Sequence, residues 1–335
     1  MKKTLIIVLL IFIIPINTFA YEDSSRNSIV MDTNSGRILY RNNENEKRLI
    51  ASITKIMTAI IAIENGNLNK KVKVGNEVLK MYGTNIYIEV GEVIKLEDLI
   101  YGLLLRSGND ASVTIAKSVS GNEEKFVELM NDKAKKLGMK NTIFKNPHGL
   151  DEVTKNYSTA KDMAILSRYA YKNKIYRKIS STKKYEVKTE NKTYLWYNRN
   201  KLLLNYDKCT GGKNGYTPSA GKTLVTTATN NNLDLTIVSL KDSNPYDNHE
   251  QLYKYIFSKY KNYEIVSKNN FKIDNTFYNK KLYIKKSFYY PLTKEELNNI
   301  KTIVSIDTSS TNKKVGLINV YLKDKKIGKI DIYKK

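Results

Sequence analysis

One cysteine, Cys209, stands in 335 residues, so no disulfide closes within the chain. Lys213, close by in the sequence, is a charge that could lower the thiol pKa; a lone thiol otherwise reads as incidental. Histidine is nearly as scarce. His148 and His249 are the only two, and no Cys/His cluster has metal-ligand spacing. Acidic residues are few as well: 33 Asp and Glu against 57 Lys and Arg give +24. That balance suits an anionic wall or membrane surface, with nucleic acid as the other reading. Beyond the first residues no run is apolar enough to span a bilayer, and neither an internal repeat nor a low-complexity tract is present.

The amino terminus decides between those surfaces. Lys2 and Lys3 precede an apolar run, Leu5 to Ile14, which Pro15 ends. Thr18-Phe19-Ala20 places small residues where a signal peptidase cuts. The run is short for a membrane anchor, so export with cleavage after Ala20 is expected, and export argues against nucleic acid. Residues 21–335 then carry +22, from 55 basic and 33 acidic side chains, and allow about two domains.

Alternation over Ser28–Asp32, turn residues at Thr33-Asn34-Ser35-Gly36 and a return over Arg37–Arg41 read as a hairpin. Helical spacing follows from Ser52, with Ile56, Ala59, Ile60 and Ile63 on one face and Gly66 as the stop. Further helices are expected over Leu96–Leu105, Asp110–Val119, a stretch carrying Phe126, Met130 and Leu137 and closed by Gly138, and residues 160–171. Strands are expected at Lys184–Thr189, Leu224–Thr229 and Leu233–Leu240, then a helix at Asn248–Ser258. From about 264 only short β-type runs remain: Phe271–Ile273, Lys281–Lys285, Ile303–Ile306, Gly316–Leu322 and Ile327–Tyr333, with Asp324-Lys325-Lys326 turning the last pair. The pattern is mixed α/β (α+β): a sheet covered by helices, then a small all-β unit. The expected divisions are 1–20, 21–263 and 264–335.

Three elements carry chemistry. Ser52-Ile53-Thr54-Lys55 puts a hydroxyl and an amine on one helical face, where a buried lysine loses proton affinity and can serve as base. Alone, the same residues read as an N-cap serine and a solvated lysine. Ser107-Gly108-Asn109 sits between two apolar helices and offers a hydroxyl that can relay a proton and an amide that can hold a carbonyl; it is also ordinary connector chemistry. Lys213-Asn214-Gly215-Tyr216 offers a cation for a free carboxylate and a glycine for close backbone approach on an edge strand, or merely a surface loop.

The order of these elements, with Asp32–Tyr40, Leu104–Ala111, Asn146-Pro147-His148-Gly149-Leu150-Asp151, Tyr157–Ala164 and Asn198–Leu203, resembles the low-molecular-mass penicillin-binding D-alanyl-D-alanine carboxypeptidases. The resemblance runs from about 25 to 260 and continues faintly over the tail. It implies the β-lactamase-like transpeptidase fold and no cofactor or metal. Ser52 would attack the penultimate D-Ala carbonyl of a peptidoglycan stem peptide, with Lys55 as base. The backbone N–H groups of Ser52 and Tyr216 would form the oxyanion hole. Ser107, with Lys213, would pass a proton to the leaving D-Ala. Asn109 would orient substrate; Lys213, Asn214 and Gly215 would take its carboxylate end. β-Lactams would acylate Ser52 and leave slowly. Arg199 and His148 would be supporting, Arg199 by bracing the Lys213 strand or meeting the carboxylate; His249 reads as a surface residue. Basic charge could hold the protein to the wall or membrane surface.

Three positions depart from the family pattern. Asn214 replaces the usual threonine of K-T-G, and loss of one charge-assisted bond costs roughly 1.5–3 kcal/mol. Ile50 replaces a proline and Asn156 a histidine, neither expected to touch the chemistry. Related endopeptidase or β-lactamase activity, and a silent wall-binding homologue, are the competing readings.

Overall fold

The structure is a computed structural model that describes residues 21–190, 192–274, 278 and 280–335. The apolar leader and its expected cleavage site lie outside the described residues.

The opening hairpin forms as Ser25–Asp32 paired antiparallel with Ile38–Asn42. Its turn is held locally: Asp32 accepts the Ser35 N–H at 2.6 Å and the Ser35 hydroxyl, and Gly36 takes φ +79°. The strands expected late in the chain complete this sheet. Its spatial order is Ile38–Asn42, Ser25–Asp32, Leu233–Asp242, Gly221–Asn230, Cys209–Thr217. The last two-strand connection tightens to Asn231-Asn232, both left-handed at φ 47° and 62°, as a primed hairpin turn requires. Cys209–Thr217 is therefore an edge strand, and it carries Lys213.

Period-two alternation sends Ile29 and Met31 to one face and Val30 to the other. The first face packs on the helices of the middle of the chain; the second packs on Leu252, Tyr253 and Ile256 of the closing helix Pro245–Lys259. That closing helix corrects one expectation. His249 is fully buried, with its ring nitrogens 2.7 Å from Thr226 Oγ1 and 2.9 Å from Ser239 Oγ. Burial pushes its pKa down to about 4.

The Ser52 segment begins as a 3-10 turn, Ala51–Thr54, and continues as the helix Lys55–Asn65, which Gly66 ends. This helix is buried on every side from Lys55 to Ile63, so its sequence shows little amphipathic contrast. Leu96–Tyr101 widens into a π-helical turn, Gly102–Arg106, and breaks at Ser107, where φ is 68°. Asn109–Ser120, Glu123–Leu137 and Ala160–Lys172 follow close to expectation. The helix Lys174–Ser180 and the strand Thr193–Tyr197, partner of Lys184–Lys188, were not anticipated; both are too short to carry a periodic signal.

In the tail, Leu282–Ile284, Lys325–Lys334, Lys314–Leu322 and Ile300–Ile306 form an antiparallel sheet in that order. It has its own cluster of Leu282, Ile284, Val315, Ile318, Val320, Ile330 and Ile332. Two expectations need correction. Phe271–Ile273 lies in no strand, and the final turn is Lys323-Asp324, with Lys323 at φ 52°, so Lys325 and Lys326 belong to the strand. A separate ribbon pairs Lys261–Val266 with Phe288–Leu292, and position 263/264 falls inside its first strand. Arg37 joins this ribbon to the large sheet. Its guanidinium donates to Pro291 O, pairs with Glu296 and lies 5.5 and 5.3 Å from the ring centres of Tyr260 and Tyr290. Arg37→Ala leaves Glu296 without its cation in a half-buried setting. We expect a loss of about 1–3 kcal/mol, read by calorimetry as a fall of several degrees in apparent Tm.

Candidate active site

Ser52 is clasped from two sides by glycines. A Cβ on Gly149, at φ +92°, would stand 2.0 Å from Ala51 O; one on Gly215 would stand 2.8 Å from Ser52 N. The close approach expected at Gly215 is thus filled by the Ser52–Ile53 backbone. Ala51 is itself left-handed at φ 47°, unusual for a residue with a side chain. Ser52 has no capping bond; the residue before the turn is Ile50.

Lys55 is 0% exposed. Its Nζ lies 3.1 Å from Ser52 Oγ, 2.7 Å from Asn109 Oδ1, and in a short contact with His148 O. The Asn109 amide orientation follows from its other end, where Nδ2 donates to Tyr82 O at 2.7 Å. Asn109 Oδ1 and His148 O can only accept. A neutral amine has two protons and one lone pair, so both protons are spent there and the lone pair is left for the Ser52 hydroxyl proton. Burial drives the Lys55 pKa well below its ordinary value, and the Lys213 charge adds to this; Asp110 opposes it.

Lys213 is also buried, 1% exposed, and donates to Asn214 O at 2.6 Å. Burial brings its pKa down to about 7, with Arg199 contributing. Arg199 is exposed; its guanidinium reaches Thr84 Oγ1 at 3.2 Å and has no bond to the Lys213 strand among the described residues. Asn214 is half-buried and its side-chain amide has no hydrogen-bond partner among the described residues. The Tyr216 side chain is largely exposed, and Thr217 ties the strand end to Asp151 Oδ2 at 2.7 Å.

Ser107 is nearly buried at the expected break, but among the described residues its hydroxyl makes no hydrogen bond to Ser52 or Lys55. His148 contributes its carbonyl to Lys55. Its ring Nδ1 accepts from Leu150 N at 3.0 Å, and burial together with the Lys55 charge lowers its pKa to about 3. A neutral ring 3.9 Å from Glu123 makes no ion pair. The Cys209 thiol is raised to about 11 by burial, against the lowering that Lys213 suggested. Among the described residues no three His, Cys, Asp or Glu side chains converge as a metal site.

Several residues that shape the site had no assigned role. The buried Asp110 carboxylate accepts backbone N–H groups of Ile86, Tyr87, Ile88 and Ala111, fixing the loop whose Tyr82 and Thr84 carbonyls hold Asn109. Asn156 donates to Thr54 Oγ1 and Asn146 O, bracing the loop that presents His148 O. An aspartate or asparagine inside a turn motif was the only signal for either.

The D-alanyl-D-alanine carboxypeptidase family model, peptidase S11, matches residues 17–244. The carboxypeptidase DacF of Bacillus subtilis is 34% identical over 285 residues, covering 80% of this chain and 73% of that protein. DacD of Escherichia coli is 28% identical over 372 residues, covering 98% and 93%. Penicillin-binding protein 5 of Haemophilus influenzae superposes with a TM-score of 0.76 at 25% identity, covering 93% of this chain and 97% of that one.

Three expected outcomes follow from the geometry. The lowered proton affinity of Lys55 should let a β-lactam acylate the serine well below the ordinary lysine range, and acylation should fall above about pH 7 as Lys213 loses its charge. Arg199→Ala removes a repelling charge, raises the Lys213 pKa and moves the falling limb upward in a stopped-flow pH profile. Gly149→Ala forces a Cβ into Ala51 O and should abolish acylation while lowering stability by about 2 kcal/mol or more in denaturant titration.

Proposed function

The chain belongs to the D-alanyl-D-alanine carboxypeptidase family of serine peptidases, and on that footing we propose the following assignment of its steps to its residues. The enzyme removes the terminal D-Ala from peptidoglycan stem peptides through an acyl-enzyme, and as a penicillin-binding protein it takes β-lactams at the same serine. Ser52 Oγ attacks the penultimate carbonyl as its proton passes to Lys55 Nζ. The seating of Lys55 between two pure acceptors, lone pair toward Ser52, is the observation that carries the reading.

The substrate lies along the free edge of Cys209–Thr217, where extended peptides add by backbone pairing. Lys213 meets the terminal carboxylate, with Asn214 and Gly215 beside it. The Ser52 and Tyr216 N–H groups receive the oxyanion. The proton held on Lys55 passes through the Ser107 hydroxyl, beside Lys213, to the leaving D-Ala nitrogen, which returns Lys55 to its neutral form; water then attacks the ester, its proton taken by Lys55 and handed back to Ser52 Oγ. Asn109 acts first on Lys55, because both ends of its amide are engaged. The protein works outside the cytoplasm; cleavage after Ala20 and contact with an anionic surface through the +22 charge belong to this proposal. The separate hydrophobic cluster of the tail supports a second unit starting near 264.

The test is D-alanine release from a peptide ending in Lys-D-Ala-D-Ala by residues 21–335. Release should vanish in Ser52→Ala, and Asn214→Thr should raise kcat/KM about tenfold. Release that survives Ser52→Ala, or none from folded wild type, overturns the assignment.

A further inference from the structure

A cavity of about 620 Å³ opens where the strand Ile38–Asn42 meets the tail, away from Ser52. Its walls include Arg37, Arg41, Tyr290, Lys325 and Lys326, and no carboxylate lines it. Part of this charge is met within the protein, and the two lysines are not. Glu296 is taken up by Arg37, and Glu44 stands 3.9 Å from an Arg41 that is largely exposed. Asp324 sits in the adjoining turn, yet among the described residues neither Lys325 nor Lys326 has an ion-pair partner. The volume falls within the range of small-molecule sites. Lys325, Lys326 and the largely exposed Arg41 line one half-open space, and such cations suit an oxyanion carrying more than one acceptor oxygen. The cavity walls come from both sheets, so an occupant would bridge the catalytic unit and the tail, beside the Arg37 contact that already joins them.

We propose that this junction cavity is an anion site that takes a phosphodiester group of the cell envelope, supplied by a polyol-phosphate polymer or by a phospholipid headgroup. The site gives the β tail a task separate from catalysis: it holds the enzyme on an anionic matrix while the Ser52 cleft faces its peptide. The choice of a phosphodiester rests on the extracytoplasmic setting of the family; the binding itself does not depend on D-Ala release.

Residues 21–335 are titrated with a fluorescent glycerol-phosphate oligomer, and separately with phosphatidylglycerol and phosphatidylcholine vesicles. Saturable, salt-sensitive binding is expected, to the oligomer if a polymer is the source and to the phosphatidylglycerol vesicles alone if a headgroup is. The double variant Lys325→Glu, Lys326→Glu should weaken it at least about tenfold. The charge-matched pair Lys280→Glu, Lys281→Glu, exposed elsewhere on the tail, should change it by less than about twofold. β-Lactam acylation of Ser52 in both doubles checks that they fold. Equal weakening by the two pairs would reduce the effect to diffuse charge and overturn the proposal. So would the absence of saturable binding by wild type to either probe.

Discussion

An amine with nowhere to send a positive charge is the constraint on which the rest of this site depends. Lys55 lies on a helix buried on all sides, and its ammonium form would sit out of reach of solvent. The fold provides two protein acceptors and a serine hydroxyl instead. Each acceptor is fixed by another contact. Asn109 is held by Tyr82 O, on the loop that Asp110 pins through its backbone N–H groups. His148 O is held by the Asn146–Asp151 loop, which Asn156 ties to Thr54 beside the lysine. Serine activation is thus a property of two loops and two helices, not of a four-residue motif.

Two lysines buried side by side make that arrangement costly to stability. Lys213 falls to about pKa 7 in the fold, and Lys55 well below the ordinary lysine value. The folded state then holds fewer protons than the unfolded chain. Burial destabilises fully at any pH below the folded pKa, and the cost fades as pH rises from there toward the ordinary lysine value. At neutral pH the two amines therefore spend stability that an apolar pair would keep. Their proximity also divides the labour. The charge on Lys213 helps to keep Lys55 neutral, so one amine can serve as a base while the other meets a carboxylate.

The parts of this design that were legible in the sequence are those that local pattern can carry. Ser52-Ile53-Thr54-Lys55 announces itself through helical spacing, and Ser25–Asp32 and Leu233–Asp242 through alternation. The family resemblance supplied the fold and the activity. What local pattern cannot carry is which atom of a residue is used. His148 was weighed as a side chain, yet its carbonyl is the working group. Asn109 was given to the substrate, yet both ends of its amide are engaged within the protein. His249 looked like a surface residue because a polar helix gives no sign of the Thr226–Ser239 sheet face beneath it. In the tail, strand ends moved by a few residues because exposed β runs such as Ile300–Ile306 alternate poorly.

Asn214 gains a physical meaning from the same contacts. Its carbonyl already accepts from Lys213 Nζ, which fixes the backbone just before Gly215. Gly215 in turn must lie against Ser52 N, where no side chain fits. The backbone of this stretch is therefore determined by its neighbours on both sides, and only the Asn214 side chain retains freedom. A threonine hydroxyl there would present one compact donor to a carboxylate. The amide presents two donors and an acceptor on a longer stem, with no protein partner to orient it among the described residues. Ordering it on substrate costs side-chain entropy that a threonine would largely avoid. Under the proposed assignment the substitution would act on how the carboxylate end is held, while the Ser52–Lys55 pair, anchored by Asn109 and His148, does not depend on it.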